Sequence, residues 1–320
     1  MQSDIFIPMN PQLLASIEGK KRELDHFRPL SSGILQKLHD QFILEWTYNS
    51  NAIEGNTLSL QETELVLNRG LTIGNKSLKE HFEAINHKAG IEFVEQFVAK
   101  KKFLNESFLK ELHQIILKNI DDGNAGIYRV TNVRILGAVH IPPDPYKIPG
   151  LIQDFLAWYY EHQHTMPIPE LAAYAHYKFV CIHPFIDGNG RTSRLLMNLI
   201  LMQNGYPPAV ILNIDRKKYY RVLKLADLDK PQEFINFIGR AIERSLIIYL
   251  HSIEPVIQSK EHQGYISLKE ATQYCEYSLE YLSLLARQGK LPAVKFQRNW
   301  MTTREAIEDY KNNRKKPNRT

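Results

Sequence analysis

Apolar residues recur every three or four positions through most of the first 250 residues, and that spacing confines the chain to helices packed on one another. Ile34, Leu38, Phe42 and Trp46 form one stripe, on a helix predicted to reach about Tyr48. Asn49 to Asn56 is too polar, and too marked by glycine, to continue that stripe, and a second helix is expected near Leu60. Ser77 and Glu80 have the spacing of a capping box and open a helix through Phe82, Ile85, Ala89 and Phe93. Another is predicted through Phe108, Leu109, Leu112, Ile115 and Ile116. Further helices are expected over 151–160, 170–181, 192–202, 216–226 and 233–249. One stretch, 129–141, has strand character: Val130, Val133, Ile135 and Val139 favour extended backbone, Gly137-Ala138 permits a turn, and Pro142-Pro143 ends it. Residues 253–263 resemble a linker. The expected class is mainly α, with one small β-hairpin.

With 320 residues, 43% of them hydrophobic, and a mean hydropathy of −0.34, the chain can bury a full core and divide into about two domains. No apolar run approaches the ~18 residues of a membrane span, and Met1 to Asn10 lacks the basic-then-apolar order of a signal peptide. A cytoplasmic location without membrane contact is therefore expected. Cys181 and Cys275 are the two cysteines, too few for a disulfide framework and too far apart for a C-x-x-C metal pair, so both read as reduced core thiols. The net charge of +5 is concentrated at one end. Residues 264–320 hold 11 Lys/Arg against 6 Asp/Glu, leaving 29 of each over residues 1–263. Only this basic appendix could approach nucleic acid.

The densest chemistry lies in His183-Pro184-Phe185-Ile186-Asp187-Gly188-Asn189-Gly190-Arg191-Thr192-Ser193-Arg194, between two apolar helices. Gly188 and Gly190 allow a ligand to approach the backbone closely, and the helix that follows aims its unpaired N–H groups and positive dipole end at the same place. Arg191 and Arg194, three apart in the first turn, can hold successive phosphates of one nucleotide. Asp187 offers the hard oxygen that Mg²⁺ takes alongside waters and phosphate oxygens. His183, neutral in part at cellular pH, can accept a proton from an attacking hydroxyl. Phe185 is expected to point inward. The common nucleotide motifs, G-x-x-x-x-G-K-[ST] and G-x-G-x-x-G, are absent from this segment.

Residues 183–194 fit H-x-F-x-[DE]-G-N-G-R-x-x-R at every defined position, and the sequence thus resembles the Fic family. Leu112-His113, Gly126-x-Tyr128-Arg129 and His140-x-Pro142-Pro143 look like further landmarks of it. The resemblance implies a protein adenylyltransferase, moving AMP from Mg-ATP to a Ser, Thr or Tyr hydroxyl of a target protein, or of the chain itself. It implies His183 as general base, Asp187 as Mg²⁺ ligand, Gly188, Asn189 and Gly190 as the phosphate cradle, Arg191 at the β-phosphate and Arg194 at the γ-phosphate. Val133, Arg134, Ile135, Leu136, Gly137, Ala138, Val139 and His140 resemble the flap that aligns a target strand. Ser50 to Asn56 resembles the family's inhibitory pattern [ST]-x-x-x-E-[GN], in which Glu54 would pair with Arg194 at rest. The implied domains are an N-terminal extension (1–75), a catalytic core (76–252) and a C-terminal module (264–320). Related enzymes transfer UMP, phosphocholine or phosphate, or remove AMP, and the nucleotide is not readable from the residues; nor is a homodimer.

In the C-terminal module, Ser267 and Glu270 form a second capping box, Ser278 can cap a helix through Tyr281, Leu282 and Leu285, residues 291–297 suggest a strand, and Thr302 with Glu305 suggests a last cap. The pattern resembles a winged helix-turn-helix. As a DNA reader it would present Ser278, Glu280, Tyr281 and residues 283–287 to the groove, with Lys295 and Arg298 on phosphates. A protein-contact module of the same shape is the alternative. A DNA-binding regulator with a nucleotide-sensing core is the corresponding second reading of the whole chain.

Overall fold

The computed structural model describes residues 7–30, 32–135, 138–261, 265–288, 290–296 and 299–314. The chain forms two compact units, residues 1–250 and 251–320. The first is helical among the described residues: α1 Pro11–His26, α2 Ser32–Ile53, α3 Leu60–Arg69, α4 Leu78–Ala99, α5 Glu106–Leu117, α6 Ile148–His162, α7 Ile168–Ile182, α8 Asn189–Gln203, α9 Arg216–Ala226, and α10 Gln232–Glu261, which runs on past the boundary. None of these helices is long and apolar enough to cross a membrane.

The centre is α7 packed on α8. Both are buried nearly all round, and the motif loop 183–188 joins them. α4 and α5 pack against α8, α6 against α7, and α2 against α4. Capping follows the sequence closely. Ser77 and Glu80 make the reciprocal box at the start of α4, and Ser59 and Glu62 make another at the start of α3. The Glu80 carboxylate also receives the Thr57 N–H (2.9 Å) and hydroxyl (2.6 Å), which ties the segment after α2 to α4.

Four expectations are corrected. First, α2 does not stop near Tyr48. It continues through the polar stretch to Ile53, where Gly55 at φ 104° turns the chain. Asn49, Ser50 and Asn51 are polar because they are buried among hydrogen-bonding partners: Asn49 Oδ1 accepts from Asn213 N–H, and Asn51 Nδ2 donates to Glu83 O. Second, α4 turns Ile85 outward and buries Ala84, His87, Gly90, Ile91 and Val94, so its inner face is partly polar and lies off the simple apolar stripe. Third, residues 129–141 form no strand among those described. Ala138 N–H closes a turn onto Ile135 O (3.2 Å) where Gly137-Ala138 was expected to permit one, and Leu136 and Gly137 within it lie outside the described residues. Fourth, the expected linker is helical through residue 261, because no glycine interrupts 240–261 and Pro255 removes only one amide donor.

The second unit has β1 Tyr265–Ser267, α11 Leu268–Ala271 followed by a 3-10 turn to Tyr274, α12 Leu279–Arg287, β2 Ala293–Phe296, β3 Asn299–Thr303 and α13 Arg304–Arg314. The strands form an antiparallel sheet in the order β1-β3-β2, with Tyr265 opposite Thr303 and Val294 opposite Met301. Leu268, Leu282, Leu285, Leu291 and Ile307 make its core. The cap of α13 is Thr303, whose Oγ1 accepts from Ala306 N–H (3.0 Å). Thr302 is buried and donates instead to Pro292 O (2.7 Å). Arg298 and the tail beyond residue 314 lie outside the described residues.

Candidate active site

The site grows from the end of α7. His183 terminates that helix in the left-handed region (φ 47°, ψ 59°), a conformation that a side chain with a Cβ adopts at a cost. Its Nδ1 lies 3.3 Å from Val180 O, and since a carbonyl only accepts, Nδ1 carries the proton and Nε2 keeps its lone pair. Burial pushes the imidazole down to about 4. The Val180 carbonyl opposes that shift, and the Arg129 charge adds to it. The ring is therefore neutral throughout the physiological range.

The loop that follows is held shut from inside. Phe185 is fully buried and stacks on His113, with ring centroids 3.6 Å apart and planes 3° from parallel. Asn189 clamps Phe185 at both ends, its Oδ1 accepting the Phe185 N–H (3.0 Å) and its Nδ2 donating to Phe185 O (2.8 Å). The Asn189 side chain is thus committed to closing the loop. His113 accepts the Gly126 N–H at Nδ1 and donates from Nε2 to Asp187 O (both 2.9 Å). Gly188, at φ 75°, lies so close that a Cβ would meet His113 Nε2 at 3.2 Å, which explains the glycine there.

α8 begins with no side-chain cap, so its first N–H groups point at the cavity unclaimed by a side chain. Arg191 and Arg194 are each 2% exposed. Arg191 faces Glu83 (3.3 Å) and Asp187 (3.4 Å), while its Nε has no hydrogen-bond partner. Arg194 donates from Nε to Ser50 Oγ (2.9 Å) and from Nη2 to Ser50 O and Glu54 Oε1 (both 2.8 Å), and its Nη1 has no partner. Buried guanidinium donors without acceptors suit the oxygens of an anion. Gly190 makes the Glu54 contact possible, because a Cβ there would fall 2.2 Å from Glu54 Oε1. The Asp187 side chain is 53% exposed, its carboxylate accepting from Gly188 N–H and facing Arg191. An exposed carboxylate beside a phosphate-sized cradle suits a hard cation such as Mg²⁺.

The sequence did not single out Arg129 as a functional residue, although it flagged the landmark around it. Its guanidinium donates to His183 O (2.8 Å), Thr131 O (2.9 Å) and Pro143 O (2.6 Å), and its N–H to Pro184 O (3.0 Å). One side chain thereby ties both ends of the 130–143 arm to the loop carrying His183. His176, fully buried beneath α8, contacts Ser193 Oγ (3.3 Å) and Tyr219 OH (3.1 Å), and no local signal points to it. On the arm, Ile135, Ala138 and His140 line a cavity of about 490 Å³ together with His183, Gly190 and Glu54. Val133, Arg134 and Val139 are placed on the arm outside that lining, and Leu136 and Gly137 lie outside the described residues. His183, Asp187 to Arg191, Arg194, Ser50 and Glu54 are thus brought together from two distant parts of the sequence.

Comparison with known proteins matches residues 103–201 to the Fic/DOC family. A Fic domain containing signaling protein from Bacteroides thetaiotaomicron aligns over 76% of this chain and 97% of its own, at 32% identity and a TM-score of 0.70. The chain belongs to the Fic/DOC family. A segment of Fic-1 from C. elegans (its residues 134–508) aligns with this Fic chain over 77% of it and 73% of the segment, at 33% identity and a TM-score of 0.71. Protein adenylyltransferase Fic of Drosophila sechellia is 36% identical over 270 residues, which are 82% of this Fic chain and 54% of that protein. The chain thus spans about half the length of the curated relatives it matches.

Proposed function

We propose that the chain is a protein adenylyltransferase, transferring AMP from Mg-ATP to a hydroxyl of a protein and held at rest by its own α2. The observation that carries this reading is the contact of Glu54 and Ser50 with Arg194 inside the anion cradle. A carboxylate takes the place there that a phosphate oxygen would need. In this reading His183 Nε2 accepts the proton of the attacking hydroxyl as its oxygen bonds to the α-phosphorus, and the bond to pyrophosphate breaks on the opposite side. The α8 N-terminus, Arg191 and Arg194 stabilise the phosphate charge, and Asp187 would hold Mg²⁺, which would neutralise part of that charge. The 133–140 arm lines up the target segment. The extension 1–75 supplies the inhibitory helix, and 76–252 is the catalytic core. Support for AMP as the transferred group comes from the likeness to the Drosophila enzyme.

Glu54→Gly tests this. Losing a charge-assisted hydrogen bond of about 1.5–3 kcal/mol frees Arg194, so AMP incorporation from labelled Mg-ATP should rise roughly tenfold to a hundredfold. Equal incorporation by the parent chain and the variant would overturn the resting-state reading, and no incorporation by either would overturn the transferase reading.

For the C-terminal unit we infer a helix-turn-helix contact module, with β2 and β3 as its wing, that serves a protein partner. The outward residues of α12 include Leu279 (40% exposed), Leu284 (46% exposed) and Glu280. Two leucines and a carboxylate suit a protein surface better than a phosphate backbone.

A further inference from the structure

We propose that His140, Cys181 and Asp227 form a zinc-class metal site in the wall of the catalytic cavity. One ligand atom from each residue lies within 4.8 Å of the other two. The three come from separate places, namely the end of the 130–143 arm, the last turn of α7 and the residue after α9, and all line the cavity that contains His183. Imidazole, thiol and carboxylate together form a donor set that favours Zn²⁺ over the hard Mg²⁺.

The surroundings prepare each ligand. His140 Nε2 is 2.7 Å from Cys181 O, to which it can only donate, so Nδ1 bears the lone pair that a metal requires. Donation of the second ring N–H to a backbone carbonyl is the usual support of a metal-bound imidazole. Asp227 is fixed at both oxygens: Oδ1 accepts from Tyr177 OH and Oδ2 from the His140 N–H (both 3.2 Å). The same Tyr177 hydroxyl lies beside Cys181. Tyr177 therefore orients one ligand and flanks a second, and the backbone of one ligand orients another. With bonds of about 2.0–2.3 Å, a bound zinc would draw the three atoms together by roughly an ångström. Cys181 would lose its thiol proton to solvent, and a fourth position would remain for water or for a group in the cavity. Occupancy would fasten the arm to α7 and to the end of α9, beside His183. The inference stands apart from the nucleotide chemistry, and its readout is metal binding.

The test uses the full chain, stripped with a chelator and dialysed against micromolar Zn²⁺ in excess Mg²⁺, with metal content measured by elemental analysis. One zinc per chain is expected. Co²⁺ in its place should give a thiolate-to-metal absorption band. Cys181→Ser should remove the band and weaken zinc uptake by at least about tenfold, and Asp227→Asn, which keeps the thiolate, should weaken uptake while retaining the band. Tyr177→Phe, which keeps all three ligands, should also weaken uptake by about tenfold. Circular dichroism melts establish that the variants are folded. Absence of saturable uptake, or uptake unchanged in folded Cys181→Ser and Asp227→Asn proteins, would overturn the site.

Discussion

His183 occupies a left-handed backbone position, and that single angle turns its ring back toward α7, where Val180 O takes the Nδ1 proton and leaves Nε2 able to accept another. The motif identified the residue, but neither the tautomer nor the angle is written in it, because both depend on where α7 ends. Two expectations follow, each measured in the Glu54→Gly background. His183→Ala should lower AMP incorporation by about 10²- to 10⁴-fold while leaving nucleotide affinity nearly unchanged, as measured by calorimetry. His183→Asn is the companion variant, since asparagine tolerates the left-handed region better than alanine. Undiminished incorporation by both would remove His183 from the base role. The second expectation concerns pH. Because burial pushes the imidazole down to about 4, it stays deprotonated where an unshifted histidine would not. Incorporation should stay flat from about pH 8 to about pH 6, whereas an unshifted base of pKa ~6.5 would by then be about three-quarters protonated. A fourfold fall over that range would contradict the shift.

At the scale of elements, the central helices were legible because α7 and α8 after Arg194 are largely apolar, while the polar motif between those stretches forms the joining loop and then the first turns of α8. The end of α2 was not. Its last turn looks like a surface loop until Arg194 supplies the buried charge that Ser50 in that turn and the part-exposed Glu54 just after it, 140 positions before the arginine, both reach. The inner face of α4 was misread for a related reason: Glu83, Asn86 and His87 are buried against partners on other helices, which a stripe of apolar residues cannot reveal. In the C-terminal unit, the caps at Ser267 and Ser278 and the strand near 291–297 could be read, but β1 and β3 could not, since each runs straight into a helix cap, Ser267 of α11 and Thr303 of α13, whose signal covers the strand. The side chains on the outward face of α12 now bear on its partner. Leu279, Glu280 and Leu284 should give the full chain no retention of duplex DNA in a gel-shift assay at low salt. A shifted band that fades as salt rises would restore the DNA reading, because phosphate contacts release counterions.

At the scale of the molecule, the two units were foreshadowed by the basic excess after residue 264, while the helical continuation of α10 across their boundary was hidden by a composition that resembles a linker. What no local pattern could show is that the first unit buries three histidines completely: His87 against Thr47, His113 between Gly126 and Asp187, and His176 beneath Arg194. Burial, the largest cause in each case, lowers all three pKa values: His113 to about 4, His176 to about 3, and His87 well below the usual range. These groups are neutral when folded and become protonated when unfolded, so between about pH 6.5 and pH 4 the unfolded chain binds more protons. Their contribution is complete above about pH 6.5 and is lost as pH falls toward the folded values. Glu170, whose carboxyl is raised by burial, and His39, which burial lowers less than Glu95 and Asp40 raise it, act in the opposite direction, while His183, pushed down to about 4 by burial, adds to the three. Each histidine should remove about 1 kcal/mol between pH 7 and about pH 5.5, or roughly 3–4 kcal/mol together. That is a large share of the stability of a typical domain. Urea denaturation of the first unit at the two pH values should show the midpoint falling, and an unchanged midpoint would mean that these histidines are protonated, or reached by solvent, in the folded protein.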